Sequence, residues 1–355
     1  MRGTPLPLLS LTLWILTITG CTTTPTGSGT TTAQAPVKLR IGYGKGGNFN
    51  IMRLRGTLEK RLAGQNVKVE WINFPMGPQA MEAIGTRSLE IGSTAATPPL
   101  FAQAAGIDFV YAANTPPGKS GSGGAIIVPI DSPLRSLRDL KGKRVAFQPG
   151  AVWQYLLIKA LEREGMQYSD IIAVKMPPAD ATAAFHSGSI DAWVQGEPYL
   201  TLVQQKGEGR ILVSTKDIPT SGGFILTPRT FAAEHPELIQ VTLDELRKTG
   251  DWARQHPHEA ATMTAQSGGL DVPTLEQMIR QQENTELRPV DASVIALQQE
   301  QADYLTRLKI LPRKIAVQDA VLSADQYARI LPPPASHQEA RAIQTTSTIH
   351  QTRER

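Results

Sequence analysis

The stretch FQPGAVWQYLLIKAL, residues 147–161, decides how this chain is to be read. It begins as the end of an apolar strand, turns on Gly150, and continues with apolar residues at helical spacing. A strand that turns through glycine into an amphipathic helix is the first half of a βαβ unit, and the start of its helix leaves backbone N–H groups that can meet an anion. The side chains of this turn, Ala151, Val152, Trp153 and Gln154, are bulkier and less hydroxylated than a plain anion site requires.

The same alternation extends in both directions. From Val37 to about Asn114 it runs through VKLRIGYG, the helical NIMRLRGTLEKRLAG, VKVEWINF, a helix near PQAMEAI, LEIGS, PPLFAQAAG and IDFVYAAN. A second set follows with GAIIVPI, a short helix near SLRDLKG, KRVAFQ, the helix after Gly150, IIAVKM, DATAAFHSG, IDAWV, PYLTLVQQKG and GRILVS. Short apolar strands between helical patterns imply parallel βαβ units. Beyond GGFILTP the chain turns helical, most clearly in PELIQVTLDELRKTGDWARQHP and DASVIALQQEQADYLTRLKI. At 355 residues the chain exceeds the size of about 250 at which one core stops growing. Two α/β lobes joined by crossings near 114–123 and 220–226 fit this order, with the C-terminal helices packing back on the first lobe.

Composition narrows the function. With 41% hydrophobic and 19% charged residues, both signs interspersed, the body is that of a chain that folds in water. The formal charge of +4 is spread without a basic run, which excludes nucleic acid as the partner and suits a small anion. At the N-terminus Arg2 precedes PLPLLSLTLWILTI, too short to span a membrane as a helix, and ITGC closes it at residues 18–21. This looks like a bacterial lipoprotein signal over 1–20, with Cys21, the only cysteine, as the lipid attachment point. Residues 21–36 read as a flexible tether, and 336–355 as a disordered tail.

In open α/β sheets a ligand lies beyond the carboxyl ends of the strands, so the strand-to-helix turns are the places to search. Four qualify: KGGN (45–48), STAATPP (93–99), QPGAVWQ (148–154) and VQGEPY (194–199). In the first, Lys45 adds charge and Gly47 allows close backbone approach, or the glycines serve turn geometry alone. In the second, Thr94 and Thr97 are hydroxyl donors or helix caps. Trp153 and Trp193 belong either to a cleft or to a core, and Glu197 either accepts from an amine or faces water. ANTPPGKS (113–120) matches a relaxed phosphate-loop pattern but leads into SGSGGAIIVP and a strand, where the nucleotide-binding form needs a helix. The six histidines stand without partners at ligand spacing, and HExxH, CxxC and GxSxG are all missing, so neither a metal nor a catalytic constellation is expected.

Taken together, LRIGYGKGGN, RGTLEKRLAGQNVKVEW, PPLFAQAAGIDFVY, DSPLRSLRDLKGKRVAFQPG, MPPADATAAFHSGSIDAWV and EPYL resemble the aliphatic sulfonate-binding proteins of ABC importers, within the nitrate, sulfonate and taurine solute-binding group. The resemblance runs from about Val37 to about Ile310. It implies a type II periplasmic-binding fold, with lobe 1 at 37–121, lobe 2 at 122–222, and a return to lobe 1 with C-terminal helices at 223–335. It further implies a monomer without cofactor or catalysis, exported to the cell envelope, that closes on a small anionic solute and docks on a membrane permease driven by a cytoplasmic ATPase.

Carried over, the ligand residues would be Lys45, Gly47 and Asn48; Thr94, Ala95, Ala96 and Thr97; Gln148, Gly150, Ala151, Val152 and Trp153; and Trp193, Gln195 and Glu197. Ala96 stands where relatives commonly place Asp, residues 151–154 replace serines and a histidine, and Gly196-Glu197 replaces an aromatic-acid pair. An alkane- or arylsulfonate is the expected solute; nitrate, taurine or a heteroaromatic held by Trp153 and Tyr155 are the alternatives within the class. A pyrimidine-synthase-like enzyme on the same fold would need a reactive residue such as Lys45. A ligand-sensing partner of a membrane receptor is the third reading.

Overall fold

A computed structural model describes residues 35–331 apart from 45, 75–76, 118–123, 269 and 282–285. The lipoprotein signal, the tether up to residue 34, Cys21, Lys45, the tail and much of the phosphate-loop-like stretch therefore lie outside the described residues.

The first lobe takes up β1 (Val37–Tyr43), α1 (Asn48–Arg55), α2 (Thr57–Arg61), β2 (Val67–Asn73), α3 (Gly77–Gly85), β3 (Gly92–Ala95), α4 (Thr97–Ala104) and β4 (Phe109–Thr115). The second holds β5 (Ala125–Pro129), β6 (Arg144–Phe147), α5 (Val152–Arg163), β7 (Ile172–Lys175), α6 (Pro178–His186), β8 (Ala192–Gln195), α7 (Tyr199–Gln205) and β9 (Gly209–Ser214). The chain then re-enters the first lobe with β10 (Gly223–Pro228) and continues as α8 (Arg229–Glu234), α9 (Pro236–Gln255), α10 (Pro257–Gly268), α11 (Val272–Gln281), α12 (Ala292–Arg307) and α13 (Ala324–Ile330).

The second lobe has a sheet ordered β7-β6-β8-β5-β9, and the first has β3-β10-β4 with β1-β2 attached through an Ile41–Ile91 bridge. Parallel pairing holds for β1 with β2 and for β6 with β7 and β8. It fails for β10, antiparallel to β3 and β4, and for β5, antiparallel to β8 and β9. The reason is the double crossing. In each sheet the strand that arrives from the other lobe runs against those built by βαβ units, so one reversed strand per sheet is a consequence of two connections. The chain leaves the first lobe after Thr115 and the second after Ser214.

Local chemistry explains the helix limits. The helical pattern over 50–64 breaks in two at Gly56, whose φ of 60° no ordinary side chain favours and whose N–H bonds back to Met52 and Arg53. The start of α12 is capped by Asp291, which accepts from the N–H groups of Ser293 and Val294. The C-terminal helices do return to the first lobe. There α9 packs on α1 and α2, while Ile51, Ala253, Ala260, Leu275 and Ile279 form a separate small core.

The α2–α9 seam is ionic. Asp244 is approached by Arg61, by Lys248 at 2.9 Å and by Arg247 at 3.1 Å. Burial alone would raise its carboxyl, but the hydrogen bonds from Lys248, Arg61 and Arg247 outweigh that and hold it at about 2. Because it titrates lower folded than unfolded, its contribution is complete above about pH 4 and is lost as pH falls toward 2. Asp244→Asn is thus expected to lower the Tm at pH 7, and the gap from the wild type should narrow as melts are repeated from pH 4 down to pH 2. A gap that stays constant with pH would remove the charge from the explanation.

Candidate functional site

All four turns lie where the crossing strands enter, at the carboxyl ends of β1, β3, β6 and β8. The first two meet around a cavity of about 300 Å³. Its polar side is Gly44, Gly47, Asn48, Ser93, Thr94 and Thr115; its apolar side is Phe49, Phe224, Ile225, Leu246 and Leu287. None of these lining residues is ionisable, so the donors on offer are neutral.

At the first turn, Gly47 precedes α1 in an extended conformation and the helix has no side-chain cap, which leaves its opening N–H groups facing outward. Asn48 lines the cavity with its Oδ1 buried and unpartnered. At the second turn, Thr94 is half-buried and Ala95 exposed. The Thr94 hydroxyl donates to Ala95 O at 3.2 Å and rests on Gly77, where an added Cβ would come within 2.3 Å of Oγ1.

Ala96 and Thr97 are not on the cleft surface, being 0% and 1% exposed. The carbonyl of Ala96 accepts from Gln298 Nε2 at 2.9 Å and Thr97 Oγ1 accepts from Gln301 Nε2 at 2.6 Å, so both face α12. Pro98 and Pro99 follow, which removes two of the N–H donors a helix start normally offers.

The third turn is partly self-satisfied. Gly150 adopts φ 71°, and its N–H donates to Gln154 Oε1 at 3.0 Å, so it is not free for a ligand as the turn pattern suggests. Gln148, Ala151 and Val152 are buried, and α5 starts at Ala151 without a side-chain cap. Trp153 packs against the main core. It is half-buried, and its ring lies against the crossings: a Cβ on Gly124 would meet Cζ3 at 2.4 Å and Thr215 Oγ1 at 2.9 Å.

At the fourth turn Trp193 is a core residue, 1% exposed, with Phe185 at 6.1 Å and Tyr199 at 5.4 Å between ring centroids. Gln195 is buried and accepts from the Gly196 N–H at 3.0 Å. Glu197 neither meets an amine nor simply faces water, because its Oε2 accepts from the Thr201 N–H at 3.2 Å and caps the start of α7. Sequence reading missed Gly77, Ser93 and Thr115, and also Phe49, Phe224, Ile225, Leu246 and Leu287. Ser93 lay inside a turn already singled out; Leu246 and Leu287 come from the return segment and carry no local motif.

Two α/β lobes exchanging strands twice, with helix starts gathered at the crossings, define a periplasmic-binding-protein fold. The chain belongs to the NMT1/THI5-like family, whose profile matches residues 63–260. Among solved structures it is similar to the alkanesulfonate-binding protein SsuA from Xanthomonas axonopodis pv. citri bound to MOPS, with TM-score 0.77, 33% identity, and coverage of 82% of this chain and 100% of that one. It is also similar to the periplasmic aliphatic sulphonate binding protein SsuA from Escherichia coli, with TM-score 0.75, 35% identity, and coverage of 81% and 92%. A relative from Bacillus subtilis (strain 168), named for binding aliphatic sulfonates, is 30% identical over 272 residues, 76% of this chain and 81% of its own.

The Trp153 contact is testable without a ligand. Gly124→Ala drives a methyl group into the indole, and a lower Tm with a shifted intrinsic fluorescence maximum is expected. A variant matching the wild type in both would mean that Trp153 does not rest on the crossing.

Proposed function

We propose that this chain is a lipid-anchored solute-binding protein that captures a small organic sulfonate and delivers it to the membrane permease of an ABC importer. The observation that carries the reading is the two-sided cavity, with the neutral polar side chains of Asn48, Ser93, Thr94 and Thr115 facing apolar Phe49, Leu246 and Leu287. A sulfonate is ionised at every physiological pH and needs several donors but no proton exchange, which neutral N–H and O–H groups provide. Its carbon part fills the apolar side, which nitrate would leave empty and taurine would meet with an ammonium. The Xanthomonas relative was solved with MOPS, a sulfonate with a ring-bearing tail, and its similarity to this chain supports the same head-and-tail arrangement here.

The relatives are binding proteins, and the cavity has no ionisable side chain among its described lining to act on a bound solute. A sulfonate should therefore raise the Tm and be recovered chemically unchanged; turnover detected by mass spectrometry would favour the enzyme reading. Thr94→Val removes a hydroxyl donor to a charged group and is expected to weaken sulfonate binding about tenfold or more in calorimetry. Since nothing described in the cavity titrates, Kd should stay within about threefold from pH 5 to 9. Anchoring is tested separately: Cys21→Ser should release the protein from membranes, and retention of that variant would rule out a lipid on Cys21.

A further inference from the structure

Outside the crossings, α5 of the second lobe meets the first lobe at α4, where Phe101 lies beside Gly150, and at α12. α12 is fixed to the first lobe by the bonds from Gln298 to Ala96 and from Gln301 to Thr97, and to the second crossing by Ser221 Oγ, which donates to Gln298 Oε1 at 2.7 Å. One turn further on, Tyr304 reaches the second lobe. Its ring stands edge-on to Tyr155 at 6.0 Å and 88°, and Lys159 Nζ lies 4.5 Å from its centroid. Next to this contact the same helices stand apart around a groove of about 440 Å³, walled by Tyr155, Lys159 and Glu162 on one side and Leu297 and Glu300 on the other. Beside the Tyr304 contact, therefore, α5 and α12 are separated by open space, which gives α5 room to move across α12.

The geometry couples this contact to the cleft. α5 begins at the third turn and α12 is fastened to the second, so any motion that carries the third turn toward the cavity must shift Tyr155 and Lys159 relative to Tyr304. The cavity is lined here by first-lobe residues alone, so the contact is made with the cleft open. We infer that Tyr304 is a positioning residue: its contacts with Tyr155 and Lys159 hold the open arrangement and so set the affinity for every ligand by a common factor, without touching any of them. An interaction present only in the open form lowers the apparent affinity of every closed-form ligand equally.

The choice of ligand, though not the motion, rests on the proposed function. The test is titration calorimetry of the full chain with hexanesulfonate and benzenesulfonate, together with small-angle scattering of the ligand-free protein. Tyr304→Ala should bind both about 5- to 10-fold more tightly with their ratio unchanged. Its ligand-free radius of gyration should fall toward that of the liganded wild type. Tyr304→Phe, which keeps the ring, should behave as wild type, and Lys159→Met should tighten both ligands about two- to threefold. Unchanged affinity in a folded Tyr304→Ala, an altered ratio between the two ligands, or an unchanged radius of gyration would overturn the inference. If Tyr304→Ala does not melt cooperatively, Lys159→Met decides. Should the wild type bind neither sulfonate, the proposed function fails and the scattering comparison alone decides the role of Tyr304.

Discussion

A single carbonyl, that of Gly124, accepts both the amide N–H of Thr215 at 3.0 Å and its hydroxyl at 2.8 Å. That pair of bonds ties the two crossings together where they meet the second lobe. At the first-lobe end Asn114 Nδ2 does the same, donating to Ser221 O at 2.8 Å and Gly223 O at 3.0 Å. The crossings are thus held to each other at both ends, a doubled connection of the kind about which lobes rotate in hinge closure. The position of Trp153 follows from this constraint. Its ring covers Gly124 because a glycine there leaves space directly over the clamp, and that links the third turn to the hinge as much as to any solute.

The fold was largely readable because its signal is periodic. Apolar strands and helical patterns mark the βαβ units, and Gly150 and the prolines around α9 punctuate them. What local periodicity does not carry is direction across the crossings, and so the reversed strands β5 and β10 went unread. The single helix expected over 50–64 failed at Gly56, where one left-handed residue outweighs a continuous amphipathic pattern.

The site was legible by place more than by residue. The turns after β1 and β3 do line a common cavity, yet inside the four turns Thr97 faces α12, Trp193 faces the core and Glu197 caps its own helix. A side chain's direction depends on partners hundreds of residues away, such as Gln298 and Gln301, which no turn motif encodes. The apolar wall of Leu246 and Leu287 was invisible for the same reason. The described lining is neutral, and that makes chemical sense of the arrangement: a buried cation facing a permanent anion would bind tightly but release slowly, whereas several modest polar contacts release more readily.

The placement of β10 between β3 and β4 has a consequence for how the chain comes to be folded. The second lobe is contiguous from Ala125 to Ser214, so its sheet can be completed as soon as that segment is available. The first lobe's three-stranded sheet lacks its middle strand until Gly223 to Pro228 has arrived. A chain emerging amino end first thus keeps β3 and β4 unjoined while the intervening lobe assembles, and the lobe begun first is finished last. Its early strands have exposed edges throughout that interval, which makes the first lobe the part of the molecule most dependent on protection while it folds.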